Sequence, residues 1–362
     1  MSRISLVNQG DSTPGYAELH CLSNFSFLRG ASQPQELIAR AQALGYSALA
    51  LTDECSLAGV VRAHLAAREA GLQLIIGSEF RLVEGDQLVL LATDRESYGN
   101  LSELITTARR AAGKGCYRLT RADVERGAGG CLALWVPRAA DIDDGARVEL
   151  DWLARAFPAR AWIAVELLRD GRDPARLAAL QALGVASGVP LAAAGNVHMH
   201  VRSRRPLQDL LTAIRLKTTV VEAVAQLHPN GERCLRSRPV LARLYPPELL
   251  AETGRIAERC RFSLDELRYE YPEELVPAGE TPASHLRRLT EAGLAGQKRR
   301  RHAVHVAGLG RARRVVVGMG VEPQHEQRPA LLLPVARDAV HRSHRQRVIA
   351  AHEDRNGAGT RQ

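Results

Sequence analysis

Carboxylate and imidazole side chains stand at the ends of the strands that the sequence predicts, and these groups are common ligands of divalent cations. Glu18 and His20 lie two residues apart in the first predicted strand, so alternation places both on one face. The other members of the set follow later strands: Asp53, Glu54, Glu79, Asn196 and His198. In a parallel α/β barrel the carboxyl ends of the strands meet at one mouth. The pattern therefore predicts either a divalent-metal hydrolase site or ordinary polar capping of strand ends.

Short apolar runs alternate with segments of helical periodicity, and these elements must position the polar residues. Runs of this length are typical of strands that are covered on both faces. They lie at 16–20, 47–52, 74–76, 88–92, 131–136, 162–165 and 190–194, and helices are predicted over 57–70, 97–112, 147–156, 174–187 and 204–216. The alternation favours an α/β barrel or a doubly wound sheet built from parallel strands.

Two local signals refine this pattern. Ser32 is predicted to cap a helix that runs to Leu44, with Gln35 as its capping-box partner and Gly45 just past its end. The segment 79–92, with Glu84-Gly-Asp86 in its middle, is predicted to form a hairpin inserted into the strand–helix rhythm.

The positive charge of the chain is confined to its end. The 362 residues have a net charge of +9, and the last 66 residues contain 14 Lys and Arg against 5 Asp and Glu, which accounts for the whole excess. The same residues contain no Phe, Tyr or Trp but six of the twelve His. This composition break is the sharpest boundary in the sequence, and it predicts a disordered tail over 297–362.

Other sequence features bear on membrane insertion, cellular location and the state of the cysteines. No run of about 18 apolar residues occurs, so no membrane span is predicted. The first residues lack the apolar stretch of a secretory signal, which indicates a cytoplasmic protein. Six cysteines are scattered without any C-x-x-C pair, which is typical of reduced, buried thiols.

The segment 16–32 resembles the opening of the polymerase-and-histidinol-phosphatase (PHP) domain, most closely that of bacterial error-prone DNA polymerases of the C family. The segments 48–59, Gly77-Ser-Glu-Phe80, Asn196-Val-His198 and 204–215 resemble its later motifs in the same order. The resemblance extends from about Tyr16 to Gly293. It implies a fold of the α/β class, a distorted seven-stranded (β/α) barrel over 16–200. We expect an N-terminal arm over 1–15 before the barrel and a helical extension over 201–296 that leads toward a missing palm.

The chain departs from the family pattern at several ligand positions. The family opens with His-x-His and a further ligand two positions on, whereas this chain has Glu18 and, at the later position, Leu22. Arg29 stands where the family has Asp, Glu54 replaces the His of an Asp-His pair, and Asn196 replaces the Asp of Asp-x-His.

The resemblance therefore leaves four candidate metal ligands, His20, Asp53, Glu79 and His198, with Glu18 and Glu54 as substitutes. Arg29, if it points inward, repels cations by roughly 4 kcal/mol per unit charge at about 4 Å and an effective dielectric of 20. We predict a vestigial site without a catalytic residue or a bound cofactor, in which these residues hydrogen-bond one another, as Glu18 with His198. The alternative is a Zn, Mn or Mg site rebuilt around Glu18 and Glu54.

Two interpretations of the tail remain open. Three Lys against 46 Arg indicate a GC-rich coding sequence, and reading such DNA out of frame near Ala295 would yield a tail of this composition. The alternative is a genuine basic arm that binds nucleic-acid phosphates.

Three functional classes follow from these features. The first is the noncatalytic N-terminal part of an error-prone DNA polymerase, a nucleotidyltransferase family that acts on DNA in damage-induced mutagenesis and translesion synthesis. The second is a metal-dependent phosphoesterase or exonuclease, and the third is a DNA-binding protein that acts through its tail. For the first class, the resemblance implies DNA and mutagenesis-polymerase partners for the full-length family member. The isolated chain is predicted to be inactive and monomeric.

Overall fold

Seven strands form one sheet in chain order in the computed structural model, which describes residues 15–137, 144–267, 276–277 and 279–295. The strands are β1 Ala17–Cys21, β2 Ala48–Leu51, β3 Gln73–Arg81, β4 Gln87–Leu91, β5 Leu132–Trp135, β6 Ala161–Val165 and β7 Leu191–Ala193. The helices are α1 Pro34–Ala43, α2 Val60–Ala70, α3 Arg95–Arg110, α4 Arg121–Gly127, α5 Asp144–Ala156, α6 Asp173–Ser187, α7 Arg205–Leu216, α8 Arg238–Leu244, α9 Pro247–Arg259 and α10 over 282–295. The predicted α/β barrel is confirmed.

The sheet is mixed rather than parallel throughout. β4 runs antiparallel to both β3 and β5, whereas the other neighbouring strands are parallel. The prediction of a parallel strand over 88–92 is therefore wrong, and the predicted hairpin over 79–92 is confirmed. The five-residue connection between β3 and β4 explains both outcomes, because a parallel crossover needs a dozen or more residues.

The barrel is closed between β1 and β7 by two different elements. Beyond the end of β7, Val197 forms a parallel bridge with Cys21, with backbone hydrogen bonds of 2.8 and 2.9 Å to Leu22 and His20. At the start of β1, helix α9 packs on both edge strands, and the Thr253 hydroxyl accepts a 3.0 Å hydrogen bond from the Ala17 N–H. These contacts satisfy backbone groups that an open sheet edge would leave unpaired.

Alternation along the strands produces two apolar layers. On β2, Ala48 and Ala50 belong to an inner layer, while Leu49 and Leu51 belong to the layer between the sheet and its helices. The inner layer is rich in alanine, which suits the narrow interior of a small barrel. The carboxyl ends of the parallel strands lie at one mouth of this barrel.

Helix α1 begins one residue later than the sequence indicates. Gln33, not Ser32, is its N-cap, Pro34 is the first helical residue, and the Glu36 carboxylate accepts a hydrogen bond from the Gln33 N–H. The Ser32 hydroxyl is instead 2.8 Å from His200 Nδ1. Proline suits the first helical position because its missing N–H has no partner there, which displaces the predicted cap.

The chain divides into two units, Met1–Glu270 and Tyr271–Gln362, and α10 is a helix of the second. Most of the predicted arm over 1–15 and the predicted tail over 297–362 lie outside the described residues. No helix in the described part of the chain is long and apolar enough to cross a membrane.

Candidate functional site

His20 lies at the centre of a buried polar cluster at the barrel mouth. Its Nε2 is 2.8 Å from Glu79 Oε2 and its Nδ1 is 3.1 Å from Glu166 Oε1, and the imidazole has no exposed surface. Burial alone lowers the pKa of His20, but the two carboxylates outweigh it and raise the pKa to about 9. His20 is therefore a cation at neutral pH, held between two anions.

Arg29 points inward and binds two of the predicted ligand residues. Its Nη1 lies 2.7 Å from Glu79 Oε1 and 2.5 Å from Glu54 Oε2, while the Tyr117 hydroxyl donates to the other oxygen of Glu54. Burial alone raises the pKa of Glu79, but Arg29 and His20 reverse this effect and hold the pKa well below its usual value. The guanidinium thus occupies a position between two carboxylates, as a bound cation would.

Asp53 is engaged by the loop after β1. Its two oxygens accept four hydrogen bonds of 2.7–3.0 Å from the backbone N–H groups and hydroxyls of Ser23 and Ser26. Four donors occupy about as many acceptor sites as a carboxylate offers. Asp53 therefore shapes the loop that brings Arg29 into the mouth.

Glu18 is turned away from the cluster around His20. Its oxygens accept hydrogen bonds from the Tyr16 hydroxyl at 2.8 Å, from the Gly195 N–H at 2.9 Å and from the His20 N–H at 3.0 Å. The β1–β2 register shifts between Glu18 and Cys21, which is the mark of a bulge. The bulge interrupts the alternation from which the sequence analysis placed Glu18 and His20 on one face, and Glu18 contacts the His20 backbone rather than its imidazole.

His198 and Asn196 connect to the cluster through Glu166. Asn196 donates 2.9 Å to Glu166 Oε2, and its Oδ1 is 2.9 Å from His198 Nε2. Gln208 of helix α7 lies 2.7 Å from the other nitrogen, His198 Nδ1. The predicted Glu18–His198 hydrogen bond is wrong, since the partners of His198 are two amides. Burial and nearby arginines lower the pKa of His198, which keeps it neutral.

These contacts do not fit a divalent cation. Glu54 and Glu79 share Arg29, Asp53 accepts four hydrogen bonds from two serines, and His198 is bound through both nitrogens. Among the residues that the structure describes, no three His, Cys, Asp or Glu side chains are arranged to hold a metal ion. The geometry of the described side chains is that of a buried ion-pair and hydrogen-bond network.

Sequence reasoning missed several members of this network, among them Glu166, Gln208 and Arg233. Glu166 directly follows β6, so the strand-end argument that found Glu79 applies equally to it. Arg233 Nη1 lies 3.8 Å from Glu166 Oε2. Gln208 and Arg233 belong to segments beyond β7, and no local pattern indicates that they return to the mouth.

Comparison with known proteins gives the same likeness along most of the chain. Residues 18–168 match the family model for the PHP domain. The error-prone DNA polymerase of Dechloromonas aromatica is 61% identical over 307 residues, which cover 83% of this chain and 29% of that protein. The error-prone DNA polymerase of Methylococcus capsulatus is 61% identical over 282 residues, 77% of this chain and 26% of that protein.

The chain therefore spans less than a third of the length of these curated relatives. Among solved structures, an amidohydrolase of Chromobacterium violaceum is 17% identical with a TM-score of 0.42, over 51% of this chain and 88% of that one.

Proposed function

The chain carries a PHP domain over residues 18–168, and from this premise we propose that it is the N-terminal barrel portion of an error-prone DNA polymerase and performs no catalysis itself. The barrel would serve as a structural module for the polymerase parts that are found in its longer relatives.

The observation that supports a noncatalytic barrel is the position of Arg29. Its guanidinium lies between Glu54 and Glu79, where a hydrolytic metal site would need an exchangeable cation. A guanidinium is a permanent cation, but it cannot polarise a substrate as a Lewis acid or lower the pKa of a bound water as a metal does. The barrel mouth thus contains a positive charge between two carboxylates, but this charge cannot act as a Lewis acid or activate water as a metal ion does.

The proposed reaction, partners and cellular location concern the full-length polymerase. We propose DNA-directed DNA synthesis in translesion synthesis and damage-induced mutagenesis, with DNA and other mutagenesis proteins as partners and the cytoplasm as location. The identity of 61% to relatives named as error-prone DNA polymerases supports this assignment. The predicted basic arm over 297–362 remains a second DNA-contacting candidate and lies outside the described residues.

Metal analysis of the purified full chain, together with a phosphodiesterase assay in Zn²⁺, Mn²⁺ or Mg²⁺, tests the proposal. We expect less than stoichiometric metal and no turnover above that of His20→Ala. His64→Ala is the matched control, since His64 lies on α2 and pairs with Asp265 outside the mouth. Stoichiometric metal with turnover that His20→Ala abolishes and His64→Ala retains would contradict the proposal. That result would establish the alternative, a metal-dependent phosphoesterase or exonuclease.

A further inference from the structure

Helix α7 presents apolar side chains to solvent and polar side chains to the barrel. Leu207, Leu210 and Ile214 are exposed, and their spacing of three and four residues places them on one face of the helix. We call these three residues the outer stripe. The buried residues of the same helix are Gln208, Thr212 and Ala213. A surface helix of a globular protein normally has the reverse arrangement, with its apolar stripe toward the core.

Hydrogen bonds fix this orientation of α7. Gln208 Nε2 donates to His198 Nδ1 at 2.7 Å, and the Arg205 guanidinium donates to the His228 carbonyl oxygen at 3.0 Å. Turning the helix to bury the outer stripe would break the buried Gln208–His198 contact and leave polar groups without partners. The outer stripe therefore stays exposed in the described part of the chain.

Phe27 is a second exposed apolar residue, and the loop that carries it is fixed on both sides. Ser26 donates its N–H and its hydroxyl to Asp53, and Arg29 binds the carboxylates of the barrel mouth. Leu28 between them has a φ of 59°, which is uncommon for a residue with a side chain. Phe27 is nevertheless 81% exposed. A rigid loop that holds an aromatic side chain in water is typical of a binding anchor, since little conformational entropy is lost on contact.

A groove of about 310 Å³ connects Phe27 to the outer stripe. Its apolar lining comes from the loop after β1 and from α7, and consists of Phe27, Leu28, Ala31, Leu207 and Leu211. Because Leu207 belongs to both the groove and the outer stripe, the two form one continuous apolar surface. A contiguous exposed surface of this kind marks an interaction site.

The longer relatives contain a part that can cover this surface. The matched segments are 29% and 26% of two of these relatives, so more than two-thirds of each lies outside the match. A match over 83% of a 362-residue chain must include α7 wherever it begins. The counterpart of α7 in that relative is therefore joined to a long unmatched part of the same chain.

We propose that the outer stripe and Phe27 form the docking surface for the unmatched part of these polymerases, through an amphipathic helix whose apolar face lies in the groove. Helices dock in such grooves through apolar residues three, four and seven positions apart. Arg215 and Lys217 are exposed at the end of α7, so acidic residues beside the apolar face of that helix suit this edge. The proposal rests on the proposed function, because it names the contact through which the barrel would act as a structural module.

Hydroxyl-radical labelling, read by mass spectrometry, tests the proposal by comparing two proteins. One is the full chain, and the other is a chimera in which residues 16–293 replace the matched segment of the Dechloromonas relative. Phe27, Leu210 and Ile214 should label about fivefold more slowly in the chimera, because the core of an interface excludes water. Val185 on α6 is 87% exposed and lies outside the groove, so it is the matched control and should label equally in both proteins.

A substitution in the chimera assigns the protection to this surface. Leu210→Lys should restore the labelling of Phe27 to the rate in the unfused chain, because a lysine in an apolar contact is costly to bury. Val185→Lys is the control and should leave Phe27 protected.

The labelling also separates this proposal from the proposed function. Equal labelling in the unfused chain and in a chimera that extends a primer would overturn the docking surface and leave the proposed function intact. A folded chimera without primer extension would contradict the proposed function, and its labelling would still decide the docking surface. Labelling of Phe27 that falls as the concentration of the unfused chain rises would show that a second copy covers the surface, which would also overturn the proposal.

A second measurement needs no fusion. The combined variant Phe27→Ser, Leu210→Gln and Ile214→Gln of the full chain should melt within about 2 °C of the original chain, because exposed side chains contribute little to folding. A larger fall would show that the outer stripe packs within this chain. That result would overturn the proposal even if the chimera failed to fold.

Discussion

Arg29 holds together two carboxylates that would otherwise repel each other in a largely buried mouth. Glu79 has no exposed surface and Glu54 is 24% exposed, so the pair has little water to screen it. Breaking a buried ion pair by removing one partner is far more destabilising than losing a surface pair, because the other charge stays buried without compensation. The residue that departs most clearly from the family pattern is therefore predicted to be essential for stability.

Arg29→Ala should lower the free energy of unfolding by about 3 kcal/mol, and Mn²⁺ should restore part of the loss. The variant frees Glu54 and Glu79 beside His20, so a cation can replace the guanidinium. Thermal unfolding with and without Mn²⁺ measures both effects. In the original chain, Mn²⁺ should leave the melting temperature unchanged.

Arg126→Ala is the control, because Arg126 pairs with Asp123 at the surface and is 72% exposed. It should cost less than about 1 kcal/mol and gain nothing from Mn²⁺. If Mn²⁺ stabilised the original chain, Arg29→Ala and Arg126→Ala equally, the inference that Arg29 occupies the position of a bound cation would be wrong.

His20 makes the stability of the barrel depend on pH. Its pKa is about 9 in the folded chain against an ordinary value of 6.5, so its contribution is complete below 6.5 and is lost as the pH rises through 9. The shift corresponds to about 3 kcal/mol. Glu79 acts in the opposite direction, since its pKa is lowered and its contribution is lost as the pH falls below its ordinary 4.5.

Urea unfolding of the original chain and of His20→Gln between pH 6 and pH 10 measures this contribution. The difference between their free energies of unfolding should be largest near pH 6 and should shrink by about 3 kcal/mol toward pH 10. A difference that stays constant across this range would show that the imidazole is neutral in the folded chain.

At the scale of elements, Glu18 ties β1 to the loop after β7. Its carboxylate accepts from the Gly195 N–H, and a methyl group at residue 195 would overlap that carboxylate. The neighbouring Asn196 has a φ of 44°, a left-handed conformation that asparagine adopts more readily than most residues. The closure of the barrel at this point therefore depends on a glycine and an asparagine in sequence.

Gly195→Ala should lower the free energy of unfolding by about 2 kcal/mol, because the added methyl displaces a buried carboxylate from three donors. Gly99→Ala is the matched control. Gly99 is exposed on α3 with no atom near the added methyl, so alanine there should be neutral or stabilise the helix by up to about 1 kcal/mol. Urea unfolding of both variants gives the comparison, and equal stability would exclude a tight closure at residue 195.

The strands and the hairpin could be predicted from the sequence because each depends on local patterns, namely apolar runs and a short connection between β3 and β4. The pattern alone left a barrel and a doubly wound sheet open, and the family resemblance implied the barrel. The hydrogen-bond partners of the candidate site residues depend on features that the sequence pattern does not show. No residue type in β1 indicates the bulge between Glu18 and Cys21. The side chain of Arg29 points into the mouth because the loop that carries it folds around Asp53. Gln208 reaches His198 only because α7 returns to the mouth.

At the scale of the whole molecule, the comparison with longer relatives bears on where polymerase activity can reside. The matched segments cover 26–29% of the two polymerase relatives. Nucleotidyl transfer relies on carboxylates that hold divalent cations at the phosphates, and the carboxylates at this barrel mouth are engaged by Arg29, His20 and two serines. Polymerase activity in the relatives is therefore expected to depend on parts of their chains beyond the matched segments.

The chain alone should not extend a DNA primer. A primer-extension assay with Mg²⁺ or Mn²⁺ measures this directly, with the full-length Dechloromonas relative as the positive control. A chimera in which residues 16–293 of this chain replace the matched segment of that relative should extend the primer, because the barrel would supply the fold and the relative the catalytic part. Extension by the unfused chain, abolished by a substitution within it, would place the polymerase site in this chain. An inactive but folded chimera would instead show that the barrel cannot substitute for the barrel of its relatives.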